Sequence, residues 1–264
     1  MTATPVLYEH PLSPYAQKCK IALREKNLAF EARMPDAIGS GTAGGAFAAA
    51  SPRIEVPALV HEGITIFEST VIAEYIEDRW PEPPLLPASP AARARLRMIE
   101  ELMDTHYEAI TWALGEIRFF RRAVGTEAER LEAAAAAQLA QAHAWLDRTL
   151  GEAAWFGGDM FSMADACIAP LLNGSDGFGV GPAEGSKLAA WLARANARPS
   201  VAKTREEAVA SLSGMTQVGE LIASGQFRRQ YRDHRLEWMM RSGGKDIVIK
   251  GMADDTIRFV WPFA

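Results

Sequence analysis

The chain has 264 residues, of which 48% are hydrophobic and 23% charged, and this is the composition of a globular protein large enough to bury an adequate core. Its formal net charge of -5 argues against nucleic acid or an anionic membrane surface as the main partner, because such contacts need clustered cations. No apolar stretch approaches the roughly 20 residues that a bilayer span requires, and the N-terminus lacks the basic and apolar segments of a signal peptide. The only cysteines, Cys19 and Cys167, fit reduced thiols, so we expect a cytoplasmic protein.

The first 80 residues alternate short apolar runs, which are typical of buried strands, with segments in which apolar residues recur at helical spacing. Glu62-Gly63 separates two of the apolar runs and predicts a β-hairpin. The predicted elements are, in chain order, strand 5–8, helix 14–26, strand 28–34, a short helix within 43–50, strands 57–61 and 64–67, and helix 69–79. This order, βαβ followed by ββα, is that of a thioredoxin-like fold.

Beyond residue 80 the pattern changes to helix only. The segment 81–90 holds five prolines in ten positions and is predicted to be a linker. Helices are predicted over 91–123 and 127–150, and near 163–173, 186–196 and 200–212. We therefore predict an α/β thioredoxin-like domain over residues 1–80, a linker over 81–90, an all-α domain over 91–215 and a C-terminal extension over 216–264.

The extension is both apolar and basic. Residues 216–241 are predicted to be helical, 247–249 and 256–259 to be short strands, and the apolar ending 260–263 predicts that the extension packs back on the body. Its basic residues are Arg228, Arg229, Arg232, Arg235 and Arg241. Because Asp233 and Glu237 lie among these arginines, a solvated face of salt bridges is the favoured interpretation. Binding of an anionic substrate or of a partner subunit is the alternative.

Three short motifs lie where an apolar run meets a loop or a helix start. They are Ser13-Pro14-Tyr15, Val56-Pro57 and Glu68-Ser69. A hydroxyl at a helix N-terminus can hold a thiolate, because the free N–H groups and the helix dipole favour negative charge there. An extended backbone edge next to a proline can pair with a peptide, and a carboxylate-hydroxyl pair can hold an amino-acid head group. Each motif alone is more often an ordinary cap or turn, but together they suit a small peptide-like thiol.

These motifs resemble those of the glutathione transferase family, in its serine-type bacterial form with a C-terminal extension, and the resemblance covers about residues 5–212. It implies that glutathione is a co-substrate and that Ser13 is catalytic, holding the sulfur as thiolate. It also implies that the peptide bond before Pro57 is cis and that the N–H and C=O of Val56 bond to the cysteinyl unit of glutathione. Glu68 and Ser69 are implied to bind the γ-glutamyl group. No metal site is expected.

Tyr15 and Arg53 complete the predicted glutathione site. Glu55 stands where many relatives carry Lys or Gln, so the glycine carboxylate needs another partner, and Arg53 and a basic residue of the loop 33–45 are the candidates. The second substrate is expected between the domains, against the long helix after the linker, with Tyr15 also at its edge. The predicted pocket residues are His106, Tyr107, Ile110 and Trp112, followed by Phe119, Trp238 and Trp261. Ser162 to Asp165 resembles the family's capping box, which has a structural role.

The resemblance implies a homodimeric enzyme that attacks a small apolar or aromatic electrophile with the glutathione thiolate. Cleavage of β-aryl ethers is a subtype that the long tail and the aromatic content suggest. Two alternatives stay open: a non-catalytic glutathione-binding protein with a stress or regulatory role, and a glutathione-dependent isomerase. The isomerase ranks lower, because members with maleylacetoacetate isomerase activity carry a denser Ser-Ser-Cys motif than Leu12-Ser13-Pro14.

Overall fold

A computed structural model describes residues 3–36, 44–212 and 227–259 of the chain. The N-terminal elements are β1 (Val6–Tyr8), α1 (Pro14–Glu25), β2 (Glu31–Arg33), α2 (Gly45–Ala50), β3 (Ala58–His61), β4 (Ile64–Phe67) and α3 (Ser69–Arg79). The four strands form one mixed sheet in the order β2-β1-β3-β4, in which β1 is parallel to β2 and antiparallel to β3. This is the thioredoxin-like fold that the sequence predicts.

The predicted hairpin is confirmed. Ala58 pairs with Phe67 and His61 with Ile64 in antiparallel register, and the connecting Glu62 and Gly63 both have positive φ, as a two-residue hairpin turn requires. The clearest boundary difference is in strand β2, which covers Glu31–Arg33 where 28–34 was predicted. Helix α3 covers the predicted residues 69–79, and Glu68 is its N-cap.

The second part of the chain is helical. Its elements are α4 (Pro90–Leu102), a π-helical turn (Met103–Tyr107), α5 (Glu108–Arg118), α6 (Gly125–Leu150), α7 (Met163–Gly177), α8 (Lys187–Asn196) and α9 (Pro199–Ser211). The capping box at the start of α7 is confirmed: the Ser162 N–H donates to Asp165 Oδ2 at 2.9 Å, and Trp191 Nε1 donates to Asp165 Oδ1 at 2.8 Å. Its role is to anchor α7, which is buried along most of its length, against α8.

The sheet part and the helical part meet across α1. One face of α1 packs on α7, and Lys18 on α1 reaches Glu100 of α4 and Asp104 of the π-helical turn. Lys18 is fully buried, with its Nζ atom 2.8 Å from Glu100 Oε1 and 2.5 Å from Asp104 Oδ2. A buried cation between two carboxylates therefore joins the two parts of the chain.

The described part of the extension consists of β5 (Arg229–Gln230), α10 (Asp233–Ser242), α11 (Lys245–Ala253) and β6 (Ile257–Arg258), and β5 pairs with β6 in parallel. It packs on the body as predicted, since α10 lies against α5 and Trp238 Nε1 donates to Gln138 Oε1 at 3.0 Å. Residues 216–226 of the predicted helix 216–241 and the ending 260–263 lie outside the described residues. In the described part of that prediction the helix begins only at Asp233, and Arg229 and Gln230 form β5.

One predicted strand of the extension is wrong. Residues 247–249 lie in helix α11, because Ile247 and Val248 are buried on its inner face while Ile249 is exposed. The β-branched run favours a strand locally, and packing of the helix overrides that preference. The other predicted strand, 256–259, is confirmed as β6. In the three described ranges, every helix lacks the length or the apolar character to cross a lipid bilayer.

Candidate functional site

A cleft of about 570 Å³ lies between the start of α1, the start of α3, helix α5 and the extension. Residues of all three motifs line the cleft, although the first and the last motif are more than fifty positions apart in the sequence. The predicted glutathione-site residues that line the cleft are Ser13, Tyr15, Arg53, Val56, Pro57, Glu68 and Ser69. The fold thus brings this predicted set together in one place.

Ser13 is the N-cap of α1. Its Oγ atom accepts a hydrogen bond from the Ala16 N–H at 3.3 Å, and Pro14 occupies the first helical turn. Among the described residues no acceptor takes the hydrogen of the Ser13 hydroxyl. Because the hydroxyl already accepts from the helix, it is polarised to donate into the cleft, next to the positive end of the helix dipole.

Val56 forms a free backbone edge of the cleft. The Val56–Pro57 peptide bond is cis, which confirms the expectation drawn from the resemblance. Ser51 braces the preceding segment, since its hydroxyl donates to the Glu55 carbonyl at 2.9 Å and accepts from the Glu55 N–H at 3.3 Å. Within the described ranges neither the N–H nor the C=O of Val56 has a hydrogen-bond partner. Both groups are therefore available to a peptide-like ligand.

Glu68 holds a strained position between two arginines. Its φ of 69° lies in the left-handed region, which costs a residue with a side chain of order 1–3 kcal/mol and is typical of ligand-binding positions. Arg53 Nη1 donates to Glu68 Oε1 at 2.7 Å, and Arg232 of the extension lies 3.6 Å from Glu68 Oε2. Ser69 beside it is buried at the first turn of α3. A carboxylate and a helix N-terminus therefore stand side by side.

Arg53 has a second carboxylate neighbour. Its Nε atom lies 3.1 Å from Glu55 Oε2. The charge of Arg53 is therefore shared between Glu55 and Glu68, and it offers less free positive charge to a ligand carboxylate than its position in the sequence suggests.

Tyr15 contributes its ring to the cleft, while its hydroxyl is bonded elsewhere. The hydroxyl donates to the Asp104 carbonyl at 2.7 Å and lies 3.5 Å from His234 Nε2. Burial, with the nearby Glu108 carboxylate, raises the pKa of Tyr15 well above its ordinary value. The phenol thus stays protonated and helps to fix the helical part to α1.

The second half of the cleft is aromatic. Its aromatic side chains are Trp112, Phe119, Phe120, Phe178 and Phe227. Of the four pocket residues predicted in first place, only Trp112 lines the cleft. His106 is exposed, Ile110 is buried away from the cleft, and the Tyr107 hydroxyl bonds His143 Nε2 and Ser175 Oγ, each at 2.7 Å. Among the secondary candidates, Phe119 lines the cleft, buried Trp238 does not, and Trp261 lies outside the described residues.

The π-helical turn explains why the pocket prediction is wrong at these positions. The sequence predicts one helix over 91–123, and the structure has a π-helical turn from Met103 to Tyr107 within it. A π turn holds more residues than an α turn, so it rotates the faces of the residues on its two sides relative to each other. The residue types at these positions do not predict a π-helical turn.

Three of the five arginines that the sequence analysis named in the extension line the cleft, which corrects the favoured prediction of a solvated face. These three are Arg229, Arg232 and Arg235, whereas Arg228 and Arg241 form exposed ion pairs. Arg229 pairs with the fully buried Glu116, and its guanidinium lies 4.0 Å from the centre of the Phe120 ring.

Comparisons with known proteins agree with this geometry. The family model for the glutathione S-transferase N-terminal domain matches residues 7–84, and the model for the C-terminal domain matches residues 90–194. The chain belongs to the glutathione S-transferase family.

Similar proteins in this family carry several names. A stringent starvation protein A homolog of Coxiella burnetii is 30% identical over 63% of this chain and 73% of its own length. Maleylacetoacetate isomerase of Pseudomonas aeruginosa is 30% identical over 66% of this chain and 82% of its own length. Protein LigF of a Sphingobium species is 29% identical over 70% of this chain and 86% of its own length, and its crystal structure is described as that of a β-etherase.

Two similar solved structures are glutathione S-transferases. The enzyme from Rhodospirillum rubrum is 32% identical with a TM-score of 0.67, and the match covers 76% of this chain and 91% of that one. Rice GST1, solved in complex with glutathione, is 26% identical with a TM-score of 0.66, and the match covers 83% of this chain and 98% of that one. The family models end at residue 194, before the extension begins.

Arg235 and Glu108 dock the extension on this glutathione S-transferase fold. Arg235 Nη2 donates to Glu108 Oε1 at 2.5 Å and its Nε donates to Oε2 at 3.1 Å. Burial alone would raise the pKa of Glu108, but the Arg235 charge, with hydrogen bonds from His234 and Arg235, lowers it to about 2. The ion pair is therefore complete at neutral pH.

The Glu108 pKa predicts how stability depends on pH. A carboxyl group whose pKa is lowered by folding stabilises the protein above its ordinary pKa of 4.5 and loses that contribution as the pH falls toward about 2. We expect Glu108→Gln to be less stable than the unmodified protein at pH 7, with up to about 3 kcal/mol of the difference depending on this titration. In urea titrations the difference should shrink steadily from pH 5 to pH 3. The exposed Glu129→Gln is the control, and a difference independent of pH contradicts the pairing.

Among the cleft residues that sequence reasoning missed are Gln230 and Arg258. Both lie on the two-stranded sheet of the extension, far from the family motifs. The signal that was available is the arginine in the predicted strand 256–259, which sits within an otherwise apolar tail.

Proposed function

We propose that the protein is a glutathione transferase in which Ser13 stabilises the glutathione thiolate for attack on a small apolar or aromatic electrophile. The observation that supports this most directly is the common cleft of Ser13, Val56 and the Glu68-Ser69 pair, with an aromatic wall opposite them. The family membership and the glutathione complex of the rice relative support glutathione as the thiol.

In this proposal each motif binds one part of the tripeptide. The sulfur lies at the Ser13 hydroxyl, and the cysteinyl backbone bonds to the unpaired N–H and C=O of Val56. The ammonium of the γ-glutamyl group binds the Glu68 carboxylate. The carboxylate of the same group binds Ser69 at the N-terminus of α3. Pro57 keeps the Val56 edge open, while Tyr15 and Arg53 form the neighbouring walls.

The chemistry depends on keeping the sulfur ionised. A thiol with a pKa near 8.5 is only about 3% ionised at pH 7. Lowering that pKa by about two units requires roughly 2.7 kcal/mol, which a donated hydroxyl hydrogen bond and a helix N-terminus together can supply. The thiolate then attacks the electrophilic carbon, a carbon–sulfur bond forms, and the leaving group departs with its electron pair. An aryloxide leaving group makes the same step an aryl-ether cleavage, the activity in the LigF name.

Two alternatives use the same glutathione site. The isomerase relative suggests a reaction in which glutathione adds and leaves again, and the stringent starvation relative suggests a binding protein without turnover. A panel of electrophiles that includes 1-chloro-2,4-dinitrobenzene separates them from a transferase, because only a transferase releases conjugates continuously.

Calorimetry with reduced glutathione tests the proposed site. We expect a binding isotherm for the unmodified protein and about tenfold weaker binding for Glu68→Gln, because the ammonium loses a charge-assisted hydrogen bond. Glu62→Gln, an exposed carboxylate on the neighbouring hairpin, should bind like the unmodified protein. Absence of heat for the unmodified protein would refute the proposal.

A cytoplasmic homodimer completes the proposal. Exposed apolar side chains of β4, α3 and α4 support a contact with a second copy, since Ile64, Val71 and Met98 are 46%, 53% and 66% exposed. The two free, buried cysteines fit a reducing compartment.

A further inference from the structure

We propose that the extension builds an anion subsite into the cleft, with Arg258 as the residue that binds the anion and Gln230 beside it, and that the electrophile of this enzyme is an aromatic carboxylate. This inference rests on the proposed transferase function and deepens it by naming the substrate class.

The two-stranded sheet of the extension presents this subsite. Gln230 and Arg258 are register partners in the parallel pair β5–β6, so their side chains leave the same face of the sheet, and both line the cleft. Arg258 Nη2 donates to the Ile54 carbonyl at 3.3 Å. Arg258 Nε and Gln230 Oε1 are buried, and neither has a hydrogen-bond partner among the described residues. Buried polar atoms of native proteins are nearly always paired, and the Arg258 Nε–H needs an acceptor, which a ligand carboxylate supplies. Gln230 Oε1 needs a donor, so Gln230 borders the subsite and does not bind the anion through this oxygen.

The other arginines of the cleft have already been neutralised. Arg229 is bonded to Glu116, Arg235 to Glu108, and Arg53 to Glu55 and Glu68. Arg232 shares Glu68 with Arg53 at the longer distance of 3.6 Å. Across the ranges that the structure describes, two arginines of the cleft have no ion pair: Arg205, which is exposed on α9, and half-buried Arg258.

The electrostatic environment of Arg258 favours an anion. Burial lowers the pKa of Arg258, the Glu55 carboxylate raises it, and the charges of Arg235 and Arg229 lower it again. A partly desolvated guanidinium beside two other guanidinium groups gains when a negative group is bound. A carboxylate suits it geometrically, since the planar fork of an arginine matches the two oxygens of a carboxylate.

The aromatic wall fixes the rest of the substrate. Trp112, Phe120 and Phe227 surround Arg229, whose guanidinium lies 5.4, 4.0 and 5.8 Å from their ring centres, and all three rings form part of the aromatic surface of the cleft. An aromatic ring can lie on this surface with its acid group at Arg258 and its electrophilic carbon toward the thiolate.

Matched probes test the inference. The acid 4-chloro-3-nitrobenzoate and its amide, 4-chloro-3-nitrobenzamide, have almost the same shape and differ in charge. Without thiol they do not react, so calorimetry measures their binding alone. With glutathione, the thiolate attacks the carbon that bears chlorine, the carbon–sulfur bond forms, and chloride leaves with the electron pair. We expect the carboxylate to bind at least about tenfold more tightly than the amide and to have a correspondingly higher kcat/KM relative to the uncatalysed rate.

The variant Arg258→Gln should abolish this preference while leaving the affinity for the amide unchanged. Arg228→Gln is the matched control, since Arg228 belongs to the same extension but pairs with Asp255 outside the cleft. Equal affinity of the unmodified protein for both probes, or a preference that survives Arg258→Gln, overturns the inference. If Arg258→Gln binds neither probe, Arg258→Lys decides: a retained preference supports the anion subsite, and a lost preference overturns it.

Glutathione titrations separate this inference from the proposed function. A carboxylate preference that depends on Arg258, in a protein that does not bind glutathione, overturns the proposed function alone. Glutathione binding that Arg258→Gln weakens about tenfold, with the probe preference unchanged, assigns Arg258 to a carboxylate of the tripeptide and overturns the inference alone.

Discussion

Replacing Ser13 with alanine is expected to lower kcat/KM for glutathione with 1-chloro-2,4-dinitrobenzene by up to about 25-fold. The hydroxyl hydrogen is the one donor of the Ser13 side chain, and its loss removes the group that, in the proposed function, stabilises the thiolate at the start of α1. If that interaction and the orientation that it gives account for most of the lowering of the thiol pKa by about two units, the ionised fraction at pH 7 falls from about three quarters toward about 3%. The pH at which kcat/KM reaches half of its maximum should also rise toward the value of a free thiol near 8.5.

The control for Ser13→Ala must separate catalysis from helix capping. Ser186 is a matched residue, because its Oγ accepts from the Ala189 N–H at 3.0 Å at the start of α8 and it does not line the cleft. Both variants should lose about 1 kcal/mol of stability, and only Ser13→Ala should lose activity. A Ser13→Ala enzyme with unchanged kcat/KM and an unchanged pH profile would show that Ser13 is a cap and nothing more.

The features that could be predicted from the sequence are those whose contacts are local. The Ser13 cap and the capping box of Ser162 and Asp165 are hydrogen bonds between residues three apart, and the turn at Glu62-Gly63 needs only two residues with positive φ. Such contacts depend on a few neighbouring side chains, so the residue types carry the information. The order of strands and helices follows from these local signals.

The features that could not be predicted depend on packing between distant segments. The Ile247-Val248 run has strand-forming residues and forms a helix, whose buried face includes both residues and which packs against α10 and β6 of the extension. Arg258 enters the cleft only through the pairing of β6 with β5, about thirty residues earlier in the chain. The π-helical turn at 103–107 has no local signal that distinguishes it from the α-helix on either side. The part of the cleft that the three motifs form was therefore predictable, and most of the aromatic part and of the extension's part was not.

Lys18→Met is expected to lower the free energy of unfolding by about 3–5 kcal/mol, because it leaves two buried carboxylates without a cation. Lys18 Nζ donates to Glu100 Oε1 at 2.8 Å, to Asp104 Oδ2 at 2.5 Å and to Thr70 Oγ1 at 3.1 Å. Burial alone lowers the pKa of Lys18, and the Asp104 and Glu100 carboxylates raise it well above its ordinary value, so the ammonium is charged. Urea unfolding followed by tryptophan fluorescence measures the loss.

The exposed pair of Arg97 and Glu74 supplies the control, since Arg97→Met removes a cation that is 45% exposed and should cost less than about 1 kcal/mol. The triple variant with Lys18→Met, Glu100→Gln and Asp104→Asn should be more stable than Lys18→Met alone, because the uncompensated charges are gone. A single variant as stable as the control would contradict the buried pairing. The Tyr15 hydroxyl donates to the Asp104 carbonyl at 2.7 Å, so the main chain of Asp104 links this buried cluster to Tyr15, which lines the cleft. We therefore expect Lys18→Met to raise KM for glutathione even at temperatures where it remains folded.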